Sequence, residues 1–283
     1  MDFIRFNPTD KQYAIALGNF DGIHFGHQQV IKTAIQKAKE IGCTSAVVTF
    51  MPHPSKVIIG NNFQEILSFD EKILTIKNLG VDEVIVINFT ELFSQMPAES
   101  FINELCQKLN IRSITTGYNF RFGHNRHGSV NTIDHLKHKY YFKFNVINQI
   151  LYNSLQVSSS ILRQIIKIGC MKVFSNFTDR YYSIECNLQY VIHDILVYTI
   201  SNSYLLLPPI GIYLGLIEDC YCCIFLNNIN IKVKFLNKEV KLLNIQIKLL
   251  TILGQEKCLD IAVMNNDLVS AYTNKAKFYL NLS

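Results

Sequence analysis

The feature that most constrains the fold is a regular alternation of strand-like and helix-like segments in the first half of the chain. Tyr13–Leu17 is a short apolar run typical of a strand, and periodic apolar positions from about residue 27 predict a helix that ends at Gly42. Ala46–Phe50 is the next predicted strand, and the β-branched run Val84–Ile87 predicts a strand buried on both faces. Strands separated by amphipathic helices favour a parallel sheet covered by helices on both sides, so we predict an α/β fold here.

The character of the sequence changes after about Arg180. Helical periodicity fades, and short runs of Ile, Leu, Val and Tyr follow, separated by Asn pairs, Pro208-Pro209 and Gly215. Such runs predict a small all-β domain or barrel. Asp260–Leu280 returns to helical spacing and predicts a closing helix. The predicted domains are therefore residues 1–180 and 181–283.

Composition excludes several classes of protein. Of 283 residues, 49% are hydrophobic, which excludes intrinsic disorder, and a net charge of +5 is too weak and scattered to indicate nucleic-acid binding. The most apolar stretch, Leu205–Ile217, is far shorter than the ~20 residues that span a bilayer, so no membrane association is expected. The first ten residues carry no export signal, so we expect a cytoplasmic protein with reduced thiols. The oligomeric state stays open.

The cysteines predict no metal site. Cys220 and Cys223 form a C-x-x-C with Cys222 between them, and no second pair completes a zinc site. We interpret these residues as thiols in a buried strand. The pair His135 and His138 lacks a carboxylate or cysteine partner, and we interpret it as part of a solvated helix face.

The segment Gly18–His27, G-N-F-D-G-I-H-F-G-H, joins the first predicted strand to the first helix. Its glycines let a ligand approach the backbone, and a helix N-terminus offers unpaired N–H groups and partial positive charge. His24 and His27 are three residues apart, so both rings can face one anion, and Gly26 leaves room for a flat base. This favours a triphosphate, whose α-phosphorus gains negative charge when attacked. The alternative is a structural turn with two surface histidines.

The segment Val157–Arg163, V-S-S-S-I-L-R, predicts the start of a helix with Ser158 or Ser159 as N-cap. Three hydroxyls and Arg163, one turn further, also suit a clamp on phosphate, because a guanidinium is planar and always charged. Capping alone is the simpler interpretation. The occurrence of this segment together with the Gly18–His27 segment favours phosphate binding.

Two other segments follow predicted strands, at the edge of the sheet where α/β proteins bind ligands. Gly117–Gly128, which begins G-Y-N-F-R-F-G, combines aromatic rings with Asn119 and Arg121, and it suits an aromatic heterocycle bearing a phosphate. A loop packed on its own domain is the alternative. Thr49–Pro54, T-F-M-P-H-P, contains two prolines that hold a turn rigid, and His53 there is predicted to make a polar contact rather than act as a base.

These four segments, in this order, resemble the adenylyltransferase module of bacterial FAD synthetase, the bifunctional riboflavin kinase/FMN adenylyltransferase family. The family pattern is G-x-F-D-G-x-H-x-G-H, T-F-x-P-H-P, G-x-[DN]-F-x-F-G-x-x-x-x-G and [VI]-S-S-[ST]-x-x-R, and this chain satisfies all four within residues 10–180. The resemblance implies a Rossmann-like nucleotidyltransferase sheet followed by a small β-barrel. It also implies the reaction FMN + ATP → FAD + pyrophosphate, with Mg²⁺ accompanying ATP.

The resemblance also implies roles for individual residues. The catalytic residues, which hold and neutralise phosphates, are His24, His27 and Arg163. The residues expected to bind ATP, including those that shape its adenosine pocket, are Gly18, Phe20, His24, Gly26, His27, Ser158, Ser159 and Arg163. The residues expected on the flavin side are Pro52, His53, Pro54, Asn119, Phe120 and Arg121. No residue is expected to ligate a metal.

The second half departs from the family pattern. Where the family's kinase domain has G-x-G-R-x-x-G-[FY]-P-T-A-N, Val191–Asn202 contains neither Gly nor Pro, although Thr199 matches the Thr. Leu207–Tyr213 resembles the family's L-P-x-x-G-V-Y strand, but Lys232 stands where a catalytic Glu is expected. A charged lysine cannot accept a proton, and a backbone without glycines cannot close over phosphates. We therefore predict a degenerate kinase domain retained for packing or dimerisation, with weak or lost activity.

Three other functions stay open. They are an intact bifunctional enzyme, a related adenylyltransferase acting on another small phosphate, and a non-catalytic flavin or nucleotide-binding protein. The G-x-N-F-R-F-G loop favours a flavin, and retention of both histidines with Arg163 argues against binding alone.

Overall fold

A computed structural model describes residues 1–4, 10–192, 195–218, 220–227, 230–236 and 244–254, and it divides the chain into two units after Ser159. The strands of the first unit are β1 (Phe3–Ile4), β2 (Gln12–Leu17), β3 (Thr44–Met51), β4 (Glu83–Asn88), β5 (Asn110–Gly117), β6 (Lys143–Ile147), and the short hairpin strands β7 (Leu151–Tyr152) and β8 (Leu155–Gln156). Six of them form one sheet in the order β1-β4-β3-β2-β5-β6, parallel except for β1. The predicted α/β fold is confirmed.

Helices cover both faces of this sheet. They are α1 (Phe25–Ile41), α2 (Pro54–Ile59), α3 (Phe69–Asn78), α4 (Glu91–Ser94), α5 (Ala98–Lys108) and α6 (Val130–Leu136), with α7 (Ser159–Lys167) and α8 (Met171–Thr178) following. α1 packs on β2, β3 and β5, and it ends where Gly42 adopts φ 75° and donates its N–H to Ala38. On the other face, Ile15 and Leu17 lie in one core cluster with Phe101. The alternation of side chains along β2 therefore joins two helical layers to one sheet.

The strand order places the loops of interest together. The chain passes from β2 to β3 and β4 on one side of β2, and then crosses to β5 on the other side. The carboxyl ends of β2 and β5 thus form a topological switch point, where open α/β sheets bind ligands. Because β2, β3 and β5 are parallel, the loops Gly18–His27, Pro52–Pro54 and Gly117–Gly128 all leave from the same edge.

The second unit contains a closed antiparallel barrel. Its strands are β9 (Tyr182–Ile192), β10 (Ile195–Ile200), β11 (Gly211–Ile217), β12 (Cys220–Leu226), β13 (Asn230–Phe235) and β14 (Asn244–Gly254). They close in the order β10-β13-β12-β11-β14-β9, which confirms the predicted barrel. Gly215 lies within β11 and does not separate two strands as predicted. A Cβ there would come within 1.8 Å of the Ile224 side chain, so the packing at this position requires glycine. Cys222 and Cys223 are buried in β12 as free thiols, as predicted.

The helix α8 packs on β9 and β14, which draws residues after Ser159 into the second unit. The domain boundary at residues 180/181 stays a prediction, and the predicted closing helix Asp260–Leu280 lies outside the described residues. His135 and His138 are both exposed, as predicted for a solvated surface, although α6 ends before His138. Within the described residues, no helix combines the length and apolar character needed to cross a membrane.

Candidate active site

The loop between β2 and α1 is buried and conformationally strained. Phe20 and Ile23 have positive φ values of 52° and 41°, yet both side chains are fully buried. Thr49 donates from Oγ1 to the Asn19 carbonyl at 3.2 Å, and Gln28 donates from its side chain to the Ile23 carbonyl at 3.2 Å. Non-glycine residues persist in this region of φ only where their surroundings hold them, and such strain clusters at functional sites.

His24 caps α1 and brings two imidazole rings together. The helix begins at Phe25, and the His24 Nδ1 accepts the backbone N–H of His27 at 3.3 Å. The two rings stack with centroids 3.8 Å apart and an interplanar angle of 18°. Because Nδ1 of His24 accepts this bond, the neutral ring carries its proton on Nε2, which is left as a donor. The predicted placement of both histidines at a helix N-terminus is confirmed.

The surroundings hold both imidazoles neutral at pH 7. Burial lowers the pKa of His24 to about 4, against the opposing influence of the Asp21 carboxylate. Burial, followed by the charges of His24 and Lys72, lowers the pKa of His27 well below its ordinary value of 6.5. In this state the rings by themselves do not carry the positive charge that was expected to neutralise phosphate, and a neutral imidazole offers one N–H donor. A nearby polyphosphate favours the protonated form and raises both pKa values.

The His27 ring contains an unpaired polar atom. Its Nδ1 is buried and has no hydrogen-bond partner among the described residues. Such an atom costs about 1–3 kcal/mol, and a buried polar atom left unpaired in a native structure needs a functional or structural explanation. The ring edge contacts Phe20 at a centroid distance of 5.5 Å, in a T-shaped arrangement. This contact holds the ring in a fixed position at the start of α1.

Two glycines permit these ring positions. A Cβ on Gly26 would lie 3.0 Å from Cε1 of His24, and a Cβ on Gly18 would lie 3.2 Å from Cζ of Phe20. The Phe20 ring is buried beneath this surface. Its contact with His27 is what the structure shows, and its expected role in an adenosine pocket stays a prediction.

Ser159 is tied to the same loop. Its Oγ donates to the Asp21 carbonyl at 2.8 Å, and the Asp21 carboxylate accepts the Ile66 N–H at 3.4 Å. The predicted proximity of the serine segment to the Gly18–His27 segment is thus confirmed for Ser159, and the neighbouring Ser158 is half-buried. Arg163 lies one turn into α7 within the second unit, and its role stays a prediction.

His53 caps a short helix in the proline turn. Its Nδ1 accepts the Ser55 N–H at 3.1 Å, and its ring stacks on Phe63 with centroids 4.3 Å apart. The predicted polar contact is confirmed. Pro52 and Pro54 are half-buried on either side of it, at the end of the strand that neighbours β2.

The loop Gly117–Gly128 has a fixed base and an accessible tip. Phe122 and Gly128 exchange two backbone hydrogen bonds of 3.1 and 2.9 Å, and Phe122 belongs to the core cluster. Phe120 stacks on Phe122 with centroids 5.4 Å apart. Asn119 and Arg121 are exposed. Packing on the domain therefore explains the base of the loop, while the polar groups at its tip stay available to a ligand.

The described residues contain no group of three His, Cys, Asp or Glu side chains placed to hold a metal ion. A Mg²⁺ ion that enters with ATP takes its ligands largely from phosphate oxygens and water. Such an ion needs no preformed cluster of this kind.

Relatives of this chain agree on one family. Residues 6–161 match the profile of the FAD synthetase family. The chain belongs to this family. It is 31% identical over 247 residues to the bifunctional riboflavin kinase/FMN adenylyltransferase of Buchnera aphidicola subsp. Acyrthosiphon pisum, covering 82% of this chain and 77% of that protein. The protein of the same name from Bacillus subtilis is 33% identical over 212 residues, covering 70% of this chain and 65% of that one.

A solved structure has a similar fold. The crystal structure of a macrolide-efflux protein from Streptococcus pneumoniae matches with a TM-score of 0.83 over 98% of both chains, at 18% identity. At this identity the match shows the fold alone. The predicted fold, the predicted family and the prediction of an enzyme of the FMN adenylyltransferase kind are confirmed.

One residue near this site was missed by sequence reasoning. Lys72, on α3, is buried, and its Nζ donates to the Phe50 carbonyl at 3.4 Å. Burial lowers its pKa to about 8, and the carboxylates of Asp21 and Glu65 oppose that shift. Lysines on amphipathic helices are almost always exposed, so no pattern in the sequence distinguishes this one.

Proposed function

We propose that this chain transfers the adenylyl group of ATP to FMN. A phosphate oxygen of FMN attacks the α-phosphorus of ATP, and a new P–O–P bond forms as the bond to the β-phosphate oxygen breaks. The products are FAD and pyrophosphate, which leaves with the bonding electron pair. The observation that carries this proposal is that the loops Gly18–His27, Pro52–Pro54 and Gly117–Gly128 leave the same edge of the sheet at the switch point. The helix that begins there has two stacked imidazoles at its N-terminus.

On the ATP side, positioned donors replace a covalent intermediate. The N-terminus of α1 follows the loop at this edge of the sheet, and a phosphate there gains hydrogen bonds from its first N–H groups and from the His24 Nε2, with favourable interaction with the helix dipole. Ser158 and Ser159 add hydroxyls, and we assign Arg163 to the same phosphates from its motif. Catalysis in this arrangement consists of alignment and stabilisation of the charge that develops on the transferring group. Mg²⁺ is bound to the ATP substrate and shields its phosphate charge.

On the flavin side, the two flanking loops offer complementary chemistry. The exposed Asn119 amide suits the polar edge of an isoalloxazine ring, and Arg121 suits a phosphate. Phe120, partly buried on the core, offers an aromatic surface, and the turn Pro52–Pro54 is a rigid wall held by the His53 cap. Because ATP is held mainly in the cytoplasm, we place the reaction in that compartment.

We further propose that the barrel has weak or no riboflavin kinase activity. The strand β10, which replaces the glycine-rich segment of the family, pairs with β9 on one side and β13 on the other. Its backbone groups are therefore used in the sheet and cannot cradle a phosphate. Tyr198 is fully buried within it, and Lys232 is buried on β13 opposite Val197. An intact bifunctional enzyme is the second candidate, because the barrel is closed and the relatives named above are bifunctional.

A product analysis tests both proposals. The purified chain is incubated with Mg²⁺ and ATP and either FMN or riboflavin, and flavins and pyrophosphate are quantified by chromatography and a coupled assay. We expect FAD and equimolar pyrophosphate from FMN, and no FMN above background from riboflavin. Absence of FAD with retained FMN and ATP binding would indicate a non-catalytic binding protein. Robust FMN formation from riboflavin would identify the bifunctional enzyme, and chelation of Mg²⁺ is the control for both reactions.

A further inference from the structure

The buried ammonium group of Lys72 has no carboxylate partner among the residues that the structure describes. Lys72 is 7% exposed, and it takes part in none of the ion pairs formed by the described residues. Its polar contact is the 3.4 Å bond to the Phe50 carbonyl, and its Nζ lies 5.4 Å from the centroid of the Phe69 ring. A buried charge without a close counter-ion is strongly unfavourable, so the fold retains an arrangement that stability alone does not explain.

The contact with Phe50 places this group at the ligand-binding edge of the sheet. Two residues earlier on β3, the Val48 carbonyl accepts the Gly18 N–H at 3.2 Å. Carbonyls two residues apart on a strand point to the same side, so the Phe50 carbonyl points towards the loop that follows β2. Lys72 therefore lies just beyond the last hydrogen bond between these two strands, beside the Gly18–His27 loop.

The electrostatic environment is arranged around an expected anion. The bond from Lys72 to the Phe50 carbonyl places the ammonium group at the end of β3 that leads to this edge, and its charge is one of the causes of the lowered pKa of His27. Two carboxylates raise the pKa of Lys72 against the effect of burial. They are Asp21, in the loop, and Glu65, before α3. Among the described residues of the first unit, Lys72 is the one lysine or arginine whose side chain is buried, and both imidazoles are held neutral.

We infer that Lys72 is a phosphate-contacting residue that binds the polyphosphate of the nucleoside triphosphate substrate. The identity of that nucleotide rests on the proposed function. An ammonium group is a compact point charge that suits phosphate oxygens, and a polyphosphate brings the negative charge that the site lacks. Lys72 thus supplies the charge, while the neutral histidines supply oriented N–H donors.

The test compares Lys72→Met with Lys77→Met, an exposed lysine on the same helix that undergoes the same change of charge. Isothermal titration calorimetry on the full chain measures binding of adenosine, AMP, ADP and ATP, with Mg²⁺ present throughout. We expect ATP affinity of Lys72→Met to fall about tenfold to hundredfold relative to Lys77→Met, since a hydrogen bond to a charged group is lost. The loss should shrink as phosphates are removed, and adenosine binding should be unchanged.

A structural role for Lys72 makes different predictions. It would weaken all four ligands equally, or lower the unfolding temperature of the ligand-free variant. Our inference expects that temperature to be equal or higher, because an unpaired buried charge is removed. Equal loss for all four ligands, no loss for ATP, or no ATP binding by the unmodified chain would overturn the inference. If Lys72→Met does not fold, Lys72→Gln is tested in its place, and failure of both to fold would assign Lys72 a structural role.

The outcome is separable from that of the proposed function. If the unmodified chain forms FAD but Lys72→Met loses the same affinity for adenosine, AMP, ADP and ATP, only the inference on Lys72 fails. If ATP binding depends on Lys72 in the expected way but no FAD forms, the proposed reaction fails and the phosphate contact stands.

Discussion

Replacement of His27 by alanine separates the chemistry of the site from its contribution to folding. The change removes the stack on His24, at 3.8 Å, and the T-shaped contact with Phe20, at 5.5 Å. Aromatic pairs contribute about 0.5–1.5 kcal/mol each. The change also removes the buried, unpaired Nδ1, whose burial costs about 1–3 kcal/mol. These effects oppose each other, so we expect the free energy of unfolding to change by less than about 2 kcal/mol.

The effect of the same change on turnover should be much larger. Removal of one donor aimed at developing charge costs about 10²–10³ in kcat, or about 2.7–4 kcal/mol. A transition-state role predicts that kcat and kcat/KM for FAD formation fall together. The loss therefore exceeds anything that the change in stability accounts for.

The assay is steady-state FAD formation from FMN and MgATP, combined with urea unfolding of the same preparations. His135→Ala is the matched control, because His135 is an exposed histidine on α6 of the same unit. A His27→Ala variant that keeps more than about a tenth of the kcat would refute the role given to this ring. So would a loss of activity that simply follows the unfolded fraction.

Three other changes have defined outcomes. Gly26→Ala places a Cβ 3.0 Å from the His24 ring, so we expect kcat/KM to fall about tenfold to hundredfold while urea unfolding shifts by less than about 1 kcal/mol. Hydrogen bonds from the Ser45 hydroxyl and N–H lower the pKa of Asp82, so its contribution to stability is present above the ordinary carboxyl range and is lost as the pH falls through the lowered value. Asp82→Asn should lower the free energy of unfolding at pH 7. The difference in urea midpoint between this variant and the unmodified chain should become smaller as the pH approaches about 3. Gly123→Ala should lower the unfolding free energy by more than about 1 kcal/mol, since φ is +72° and a Cβ would lie 2.7 Å from backbone atoms; an unchanged midpoint would contradict this.

The order of strands and helices could be predicted because it depends on local patterns. Apolar runs such as Ala46–Phe50 and the stop at Gly42 lie within a few residues of the structure they predict. Gly215 shows the limit of this reasoning, because a glycine in a β-rich region looks like a separator. In the barrel it lies inside β11, where the Ile224 side chain on the neighbouring strand leaves no room for a Cβ. That constraint comes from a residue distant in the chain and has no local signal.

His24 shows a similar limit at the level of capping. Apolar periodicity predicts a helix that begins at about His27, and histidine is not a preferred N-cap residue. The structure shows that an imidazole nitrogen takes the place of the usual side-chain oxygen and that the helix begins at Phe25. The motif spacing predicted that both histidines lie at the start of this helix, and the fold determined how their rings stack.

The sequence by itself determined the two kinds of fold, the four ligand-type segments and the family, since spacing and residue type carry that information along the chain. Tertiary structure alone decided the charge state of the site. Burial removes water from His24 and His27 and lowers their pKa values, and the fold buries Lys72 without an ion-pair partner in the part of the chain that the structure describes. A pKa depends on solvent exclusion and on charges contributed by distant segments, so no reading of neighbours in sequence could assign the positive charge to α3 rather than to the histidines.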